Sequence, residues 1–173
     1  MLALFLEATH REERYCAISL ADRRECRAHA RRTESLDLYE TLIVEGAWWD
    51  IVDIVASHLV GGLFETDAPW LGAHMREWSI DRDLWKRRTS IICQLRRKRA
   101  VNLALFEDCI APNLDDRDFF VRKAIGWALR ETAKTHPQEV IRYVETHRDA
   151  LSPLSKREAL KNVLKAGLID RVP

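Results

Sequence analysis

Glycine and proline are scarce in this sequence, with six glycines and five prolines among 173 residues. Alanine, leucine, arginine and glutamate are frequent instead, and this composition favours helices. No segment alternates apolar and polar residues convincingly, so strands are not expected and the predicted fold class is all-α. Hydrophobic residues make up 47% and charged residues 32%, which excludes a disordered chain and predicts a single globular domain over residues 1–173.

Metal-ligand spacings are also missing. The histidines include no H-x-x-x-H pair, and the cysteines include no C-x-x-C pair. The sequence therefore predicts neither a metal site nor a cofactor. We expect the four cysteines to be reduced core residues: Cys16, Cys26, Cys93 and Cys109.

Long hydrophobic runs are absent as well. The apolar run Met1–Leu6 is too short to cross a bilayer, and it lacks the basic flank and cleavage signal of a leader peptide. We therefore expect a cytoplasmic protein with no membrane contact.

The charges that are present are distributed unevenly. Residues 1–70 carry 7 basic and 13 acidic side chains, a net charge of −6, whereas residues 71–173 carry 21 basic and 14 acidic ones, a net charge of +7. The segment Arg82–Arg99 holds eight lysines and arginines against one aspartate. Such an asymmetry can steer an anionic polymer onto one surface, and the alternative is a solvated face with ordinary ion pairs.

Apolar periodicity, capping residues and helix breakers divide the chain into helical segments. Gly46 and Gly61-Gly62 are predicted to end two of them, and Pro69 is predicted to begin another. The predicted helices are His10–Leu20, Asp22–Arg32, Leu36–Val44, Trp48–Val60, Pro69–Trp78, Leu84–Leu95, Asn102–Ile110, Asp118–Thr135, Gln138–His147 and Ser155–Leu164.

These helices come in pairs whose second members resemble one another. Asp83–Arg88 resembles Asp118–Lys123 at a spacing of 35 positions. Arg157 lies 34 positions after Lys123, and Asp53 lies 35 positions before Arg88. A period in the mid-thirties is typical of an α-solenoid, a superhelix of HEAT-like antiparallel helix pairs. Equivalent helices line the concave face of such a stack. There we expect a basic row, interrupted by the aspartate, that consists of Arg88, Lys123 and Arg157.

The predicted helix Asp118–Thr135 has a stripe of apolar residues and, next to it, a basic face. Trp127 lies on the apolar stripe, and Gly126 beside it is expected to allow close approach of another helix. Lys123 and Arg130 lie on a neighbouring face. The structural interpretation places the tryptophan in the core, and the functional interpretation makes it an aromatic wall between cations.

Asp53 is the residue on which the functional interpretation depends. Trp49 lies one turn earlier on the same face, so the two residues present an aromatic wall and a negative charge to one spot. Trp127, two repeats away, would close the other side. Such a site matches a polyanion that carries a local cation, and DNA with an alkylated purine fits this description. The structural alternative is an ion pair between Asp53 and Arg88.

Four motifs follow one another at regular spacing. They are Trp48-Trp49-Asp50-x-x-Asp53, Trp85-x-x-Arg88, the run from Phe119 to Glu131, and Leu154-Ser155-x-Arg157-Glu158-Ala159. Together they resemble the AlkD-like alkylpurine DNA glycosylases, which are DNA alkylation repair enzymes made of HEAT-like repeats. The resemblance covers roughly the stretch from Ala3 to Leu164.

The resemblance implies roles for individual residues. Asp53 would be the catalytic carboxylate, Trp49 and Trp127 the aromatic walls, and Arg88 a DNA contact beside the lesion. The remaining predicted contacts to the DNA backbone are Lys123, Arg130 and Arg157. The resemblance also implies that the damaged base need not be flipped into a pocket.

One feature departs from the family pattern. Family members carry further N-terminal helices before the segment that resembles His10–Leu20, so we expect this chain to lack them. Its first helices are then expected to expose an apolar edge that includes Leu2, Phe5 and Leu6.

Three functions are compatible with these observations. The first is a monomeric enzyme that excises positively charged N3- or N7-alkylated purines from double-stranded DNA. The second is a DNA-structure binder or scaffold that kept the groove without turnover. The third is a protein-interaction solenoid whose tryptophans are core residues. Salt-dependent DNA binding separates the third from the others, and release of free methylated base separates the first from the second.

Overall fold

The computed structural model describes residues 1–173, with every side chain except that of Arg27. Regular structure among these residues is helical throughout, which confirms the predicted fold class. None of the described helices is long and apolar enough to cross a membrane. The α-helices are α1 (Leu2–Leu6), α2 (Arg11–Asp22), α3 (Arg27–Ala30), α4 (Ser35–Gly46), α5 (Trp49–Ile54), α6 (Ala68–Ser79), α7 (Leu84–Ile92), α8 (Leu103–Ile110), α9 (Phe119–Thr132), α10 (Pro137–Thr146) and α11 (Pro153–Lys165).

The helices form two layers. The members of one layer, which we call the second layer, are the second helices of successive pairs, and they pack one after another in the order α5, α7, α9 and α11. In the other layer α6 packs against α8. Because short connections join neighbouring helices, the members of a pair run antiparallel. This arrangement is the predicted all-α solenoid.

Hydrogen bonds between neighbouring repeats reproduce the sequence period. The amide of Asn113 donates to the carbonyl of Ser79 at 2.8 Å across 34 positions. The hydroxyl of Ser155 donates to the carbonyl of Arg122 at 2.9 Å across 33 positions, and the hydroxyl of Tyr15 donates to Asp50 at 2.6 Å across 35 positions. The repeat period in the mid-thirties is therefore a property of the packing as well as of the sequence.

Two copies of an Asp-Arg-Asp segment start the second-layer helices α7 and α9. Asp83 accepts hydrogen bonds from the backbone N–H groups of the first turn of α7, and Asp118 does the same for α9. Each capping side chain of this kind contributes about 1 kcal/mol to helix stability. The shared cap places aromatic residues at equivalent positions in the two first turns, Trp85 in α7 and Phe120 in α9.

Gly126 allows a close contact between two second-layer helices. A Cβ atom on this residue would lie 2.6 Å from the Cβ of Glu158 and 2.9 Å from the carbonyl oxygen of Ser155. Helices α9 and α11 therefore pack at a distance that a larger residue would prevent. The close approach predicted beside Trp127 is confirmed.

Several predicted boundaries were wrong. The predicted helix Asp22–Arg32 is reduced to the single turn α3, because Arg23 adopts an extended conformation (φ −64°, ψ 145°) that ends α2. Its side chains are mostly charged, so the segment has little apolar surface with which to pack as a helix. The predicted helix Trp48–Val60 does end at Gly61, but only its first half is α-helical: α5 passes into a π-helical turn over Val55–Val60, and a 3₁₀ turn over Gly61–Glu65 follows directly.

Two predictions about burial also need correction. Cys93 and Cys109 are buried as expected, but Cys16 is exposed and Cys26 is partly exposed. Phe5 was expected at an uncovered apolar edge, yet it is 0% exposed, because α1 folds back so that this ring enters the core beside α4. Leu2 packs against the same core, whereas Leu6 is exposed as predicted.

Candidate active site

Residues from three successive second-layer helices line an open cavity of about 280 Å³. We call it the Asp53 cavity. Helix α5 contributes an aspartate and a tryptophan, α7 an arginine, and α9 a lysine and three aromatic residues. Its lining consists of Trp49, Asp53, Arg88, Phe119, Phe120, Lys123 and Trp127. The structure thus brings together all three predicted catalytic residues and two of the four predicted DNA contacts.

Asp53 and Arg88 form a two-pronged ion pair at the base of this cavity. The Nε of Arg88 donates to Oδ1 of Asp53 at 2.8 Å, and Nη2 donates to Oδ2 at 2.9 Å. Nη1 donates to the carbonyl oxygen of Phe120 at 2.5 Å, so the arginine links all three helices. Arg88 is only 3% exposed, whereas the Asp53 side chain keeps 14% of its surface accessible. The ion pair considered as the structural alternative is therefore present, and it points its carboxylate into the cavity.

Burial raises the pKa of the Asp53 carboxyl above its ordinary value, and the hydrogen bonds and charge of Arg88 oppose that rise. The negative charge of nearby Asp50 adds to the upward shift. A carboxylate held in this way is poorly solvated and close to one fixed cation. Its charge therefore acts more strongly on a group entering the cavity than a solvated carboxylate would.

Exposed aromatic rings surround the carboxylate. Trp49 is 46% exposed and Phe119 is 53% exposed, although both are large apolar side chains. Behind them, Phe120 packs edge-on against Trp48 with ring centroids 5.6 Å apart and against Trp85 at 5.1 Å. Phe120 also packs against Phe119 with ring centroids 5.5 Å apart, so this cluster holds the exposed Phe119 ring in place beside Asp53.

Glu158 neutralises two of the predicted DNA contacts. Its carboxylate lies 3.0 Å from Nζ of Lys123 and also forms an ion pair with Arg130. Burial alone would raise the pKa of Glu158, but its bonds to Lys123 and Arg130 outweigh this effect and lower the pKa. Arg157 is exposed on the preceding position of α11. The predicted basic row is therefore a mixture of paired and solvated cations, and DNA contact by its members stays a prediction.

The sequence interpretation missed the aromatic pair Phe119 and Phe120 as cavity residues and Glu158 as an ion-pair partner. A signal for Glu158 was present, because it lies 35 positions after Lys123, the same spacing that joins Asp53 to Arg88. Aligning Lys123 with Arg157 instead, at 34 positions, concealed it. Among the described side chains, no group of three or more histidine, cysteine, aspartate or glutamate residues is arranged to hold a metal ion.

The fold and the cavity define a class of protein, a helical solenoid whose second layer holds a mostly buried carboxylate beside exposed aromatic rings. The chain belongs to the DNA alkylation repair enzyme family, whose model matches residues 1–163. This confirms the family resemblance found in the four motifs.

A solved structure supports the same relationship. A protein from Enterococcus faecalis, described as a predicted DNA alkylation repair enzyme, is 29% identical in sequence and superposes with a TM-score of 0.83. The match covers 95% of this chain and 74% of that chain. No curated protein is significantly similar to this chain in sequence.

Proposed function

We propose that this protein is a DNA glycosylase that removes positively charged N3- or N7-alkylated purines from duplex DNA. The observation that carries the proposal is the Asp53 cavity, in which one largely desolvated carboxylate shares the lining with the exposed ring of Trp49 and the partly buried ring of Trp127. Membership of an alkylation repair family supports DNA as the substrate. We further propose that the protein acts as a cytoplasmic monomer.

The chemistry requires little beyond electrostatic stabilisation. An alkylated purine with a formal positive charge is already a good leaving group. The C1′–N bond breaks with its electron pair moving to the base, which becomes neutral, while the sugar becomes an oxocarbenium ion. Water then adds to C1′ and loses a proton. A carboxylate beside C1′ stabilises this cation, as carboxylates do in glycoside hydrolysis.

The residues of the cavity divide this work among them. Asp53 supplies the negative charge, and Arg88 fixes its position through two hydrogen bonds while each carboxylate oxygen keeps a lone pair free. Trp49 and Trp127 offer ring faces that attract a cationic base or sugar. The cavity is open to the surface, so a damaged nucleotide can approach the carboxylate without full extrusion from the duplex.

Release of free base tests the proposal directly. Methylated duplex DNA is incubated with the protein, and 7-methylguanine and 3-methyladenine are measured in the supernatant by mass spectrometry against a reaction without protein. We expect release above the spontaneous rate. Salt-dependent binding of the duplex without any release would instead establish the non-catalytic DNA binder considered above.

The pH dependence of excision is expected to follow the ionisation of Asp53. Only the ionised carboxylate stabilises the sugar cation, so the rate rises with pH through the pKa of this group. Because burial raises that pKa, the acid limb lies above the usual aspartate range near about pH 4. Single-turnover base release, corrected for spontaneous depurination, provides the profile. An acid limb at or below the ordinary aspartate value would contradict the assignment.

Glu158→Gln is expected to strengthen duplex binding. The substitution removes the charge that neutralises Lys123 and Arg130, so these cations become available to contact phosphates. Each additional phosphate contact should steepen the slope of log binding constant against log salt concentration by about 0.9. Fluorescence anisotropy on an unmodified duplex at several salt concentrations measures the effect. Glu77→Gln, an exposed residue of α6 in the other layer, is the matched control and should leave the slope unchanged. Equal slopes for both variants would mean that these cations do not contact DNA.

A further inference from the structure

A second cavity opens one helical turn beyond Asp53 along the same helical segment. Its volume is about 600 Å³, and Ser57 in its wall donates a hydrogen bond to the carbonyl oxygen of Asp53 at 2.6 Å. We call it the Arg96 cavity. Its charged and ionisable side chains are Asp22, Arg31, His58, Glu65, Arg96 and Arg97.

Unusual backbone structure forms one wall of this cavity. The π-helical turn Val55–Val60 carries Ser57 and His58, and it passes directly into the 3₁₀ turn Gly61–Glu65. A Cβ atom on Gly61 would lie 2.4 Å from the carbonyl oxygen of Cys93, so glycine is required for this turn to lie against the end of α7. Turns of the π type are rare and frequently occur at functional sites.

The opposite wall, which follows α7, carries two consecutive arginines. The guanidinium of Arg97 lies over the ring of Phe64 at 4.6 Å, and Nη1 of Arg96 lies 2.7 Å from Nδ1 of His58. The same Nδ1 is 2.9 Å from a carboxylate oxygen of Asp22. Nε2 of His58 lies 2.5 Å from the same Nη1, so the imidazole can donate from Nδ1 to Asp22 and accept from Arg96 at Nε2, but it carries no negative charge that would neutralise the guanidinium.

Both carboxylates of the Arg96 cavity already have partners. Glu65 is paired with Arg31, and Asp22 lies beside His58. Among the side chains that the structure describes, Arg96 and Arg97 have no carboxylate within ion-pair distance. Two neighbouring guanidinium groups without an anion lie at the mouth of this cavity, and the planar fork of N–H donors on each can bond two oxygens of a phosphate group.

We infer that the Arg96 cavity binds a phosphate group, held by Arg96 and Arg97. This assignment rests on the proposed function, under which the phosphate group belongs to the backbone of the duplex whose damaged nucleotide lies at Asp53. Ser57, in the wall of this cavity, lies four residues or about 6 Å beyond Asp53 along the helix, so a strand whose damaged nucleotide lies at Asp53 passes close to the Arg96 cavity. A free phosphate ion has the same chemistry and is the other source.

Arg96→Gln tests the inference without disturbing the core, because Arg96 is exposed. Loss of one phosphate contact should flatten the log–log salt dependence of binding to an unmodified duplex by about 0.9 and weaken binding about eightfold at 0.1 M monovalent salt. Arg142→Gln, an exposed arginine of α10 in the last helix pair, should change neither quantity. Arg96→Lys keeps the charge and should retain the slope.

Titration of the parent protein and of Arg96→Gln with inorganic phosphate, followed by ³¹P NMR, distinguishes the two sources. A flattened duplex slope in Arg96→Gln supports the backbone phosphate. Phosphate binding that is lost in this variant while the duplex slope is unchanged supports a site for the free ion. If Arg96→Gln changes neither measurement and melts like the parent, the inference is overturned.

These measurements use undamaged DNA, so their outcome is independent of catalysis. A protein that releases no base can still show the flattened slope, in which case the glycosylase proposal fails and the phosphate site stands. A protein that excises normally while Arg96→Gln binds like the parent gives the reverse result.

Discussion

Replacing Asp53 by asparagine is expected to lower the rate of base excision about a hundred- to a thousandfold while duplex binding stays the same or tightens slightly. Asparagine keeps the size of the side chain but cannot stabilise a developing sugar cation. Removing a negative charge from a surface that faces phosphates favours ground-state binding. Single-turnover release of 7-methylguanine and anisotropy on the same duplex measure the two effects separately.

The alternative interpretation, in which Asp53 only pairs with Arg88, predicts a different result for the same variant. If Asp53 serves only to neutralise the buried guanidinium, Asp53→Asn lowers the melting temperature and leaves excision at the parent rate. Asp108→Asn is the matched control, because it breaks another aspartate–arginine pair, with Arg76, outside the Asp53 cavity. A variant of Asp53 that melts early but excises normally would remove the catalytic assignment.

The repeat architecture could be predicted because one spacing recurs in both sequence and packing. Asp53 and Arg88 lie 35 positions apart, and the same interval separates the caps Asp83 and Asp118. In a stack of equivalent helices, residues at such an interval become neighbours between adjacent repeats. The placement of Trp49 and Trp127 around the carboxylate followed from this register together with the i, i+4 geometry of helices.

Other features depend on contacts that no local pattern contains. The π-helical turn Val55–Val60 changes the number of residues per turn, and apolar periodicity does not reveal such a change. The burial of Phe5 depends on how α1 folds back onto α4. To predict the pairing of Glu158 with Lys123 and Arg130, a repeat of 35 residues would have had to be distinguished from one of 34. A difference of one residue moves a side chain about 100° around a helix.

The Asp53–Arg88 pair has a further consequence for stability. Arg88→Met is expected to lower the free energy of unfolding by about 3 to 5 kcal/mol, because it leaves a mostly buried carboxylate without its cation. The carbonyl oxygen of Phe120 also loses its donor. Chemical denaturation measures the change. Arg76→Met, which breaks a half-exposed pair with Asp108, is the matched control and should lose less than about 1 kcal/mol.

The double variant Asp53→Asn with Arg88→Met separates the pair from the packing around it. Because both charges are then absent, about half of the loss should be recovered, with about 1 to 3 kcal/mol remaining for the unpaired carbonyl. The deficit of Arg88→Met alone should also depend on pH. Without Arg88 the pKa of folded Asp53 rises further above its unfolded value, so the deficit is largest above the folded pKa and shrinks as the pH falls through it. A deficit in Arg88→Met that is independent of pH, or that the second substitution does not reduce, would show that packing rather than charge makes Arg88 indispensable.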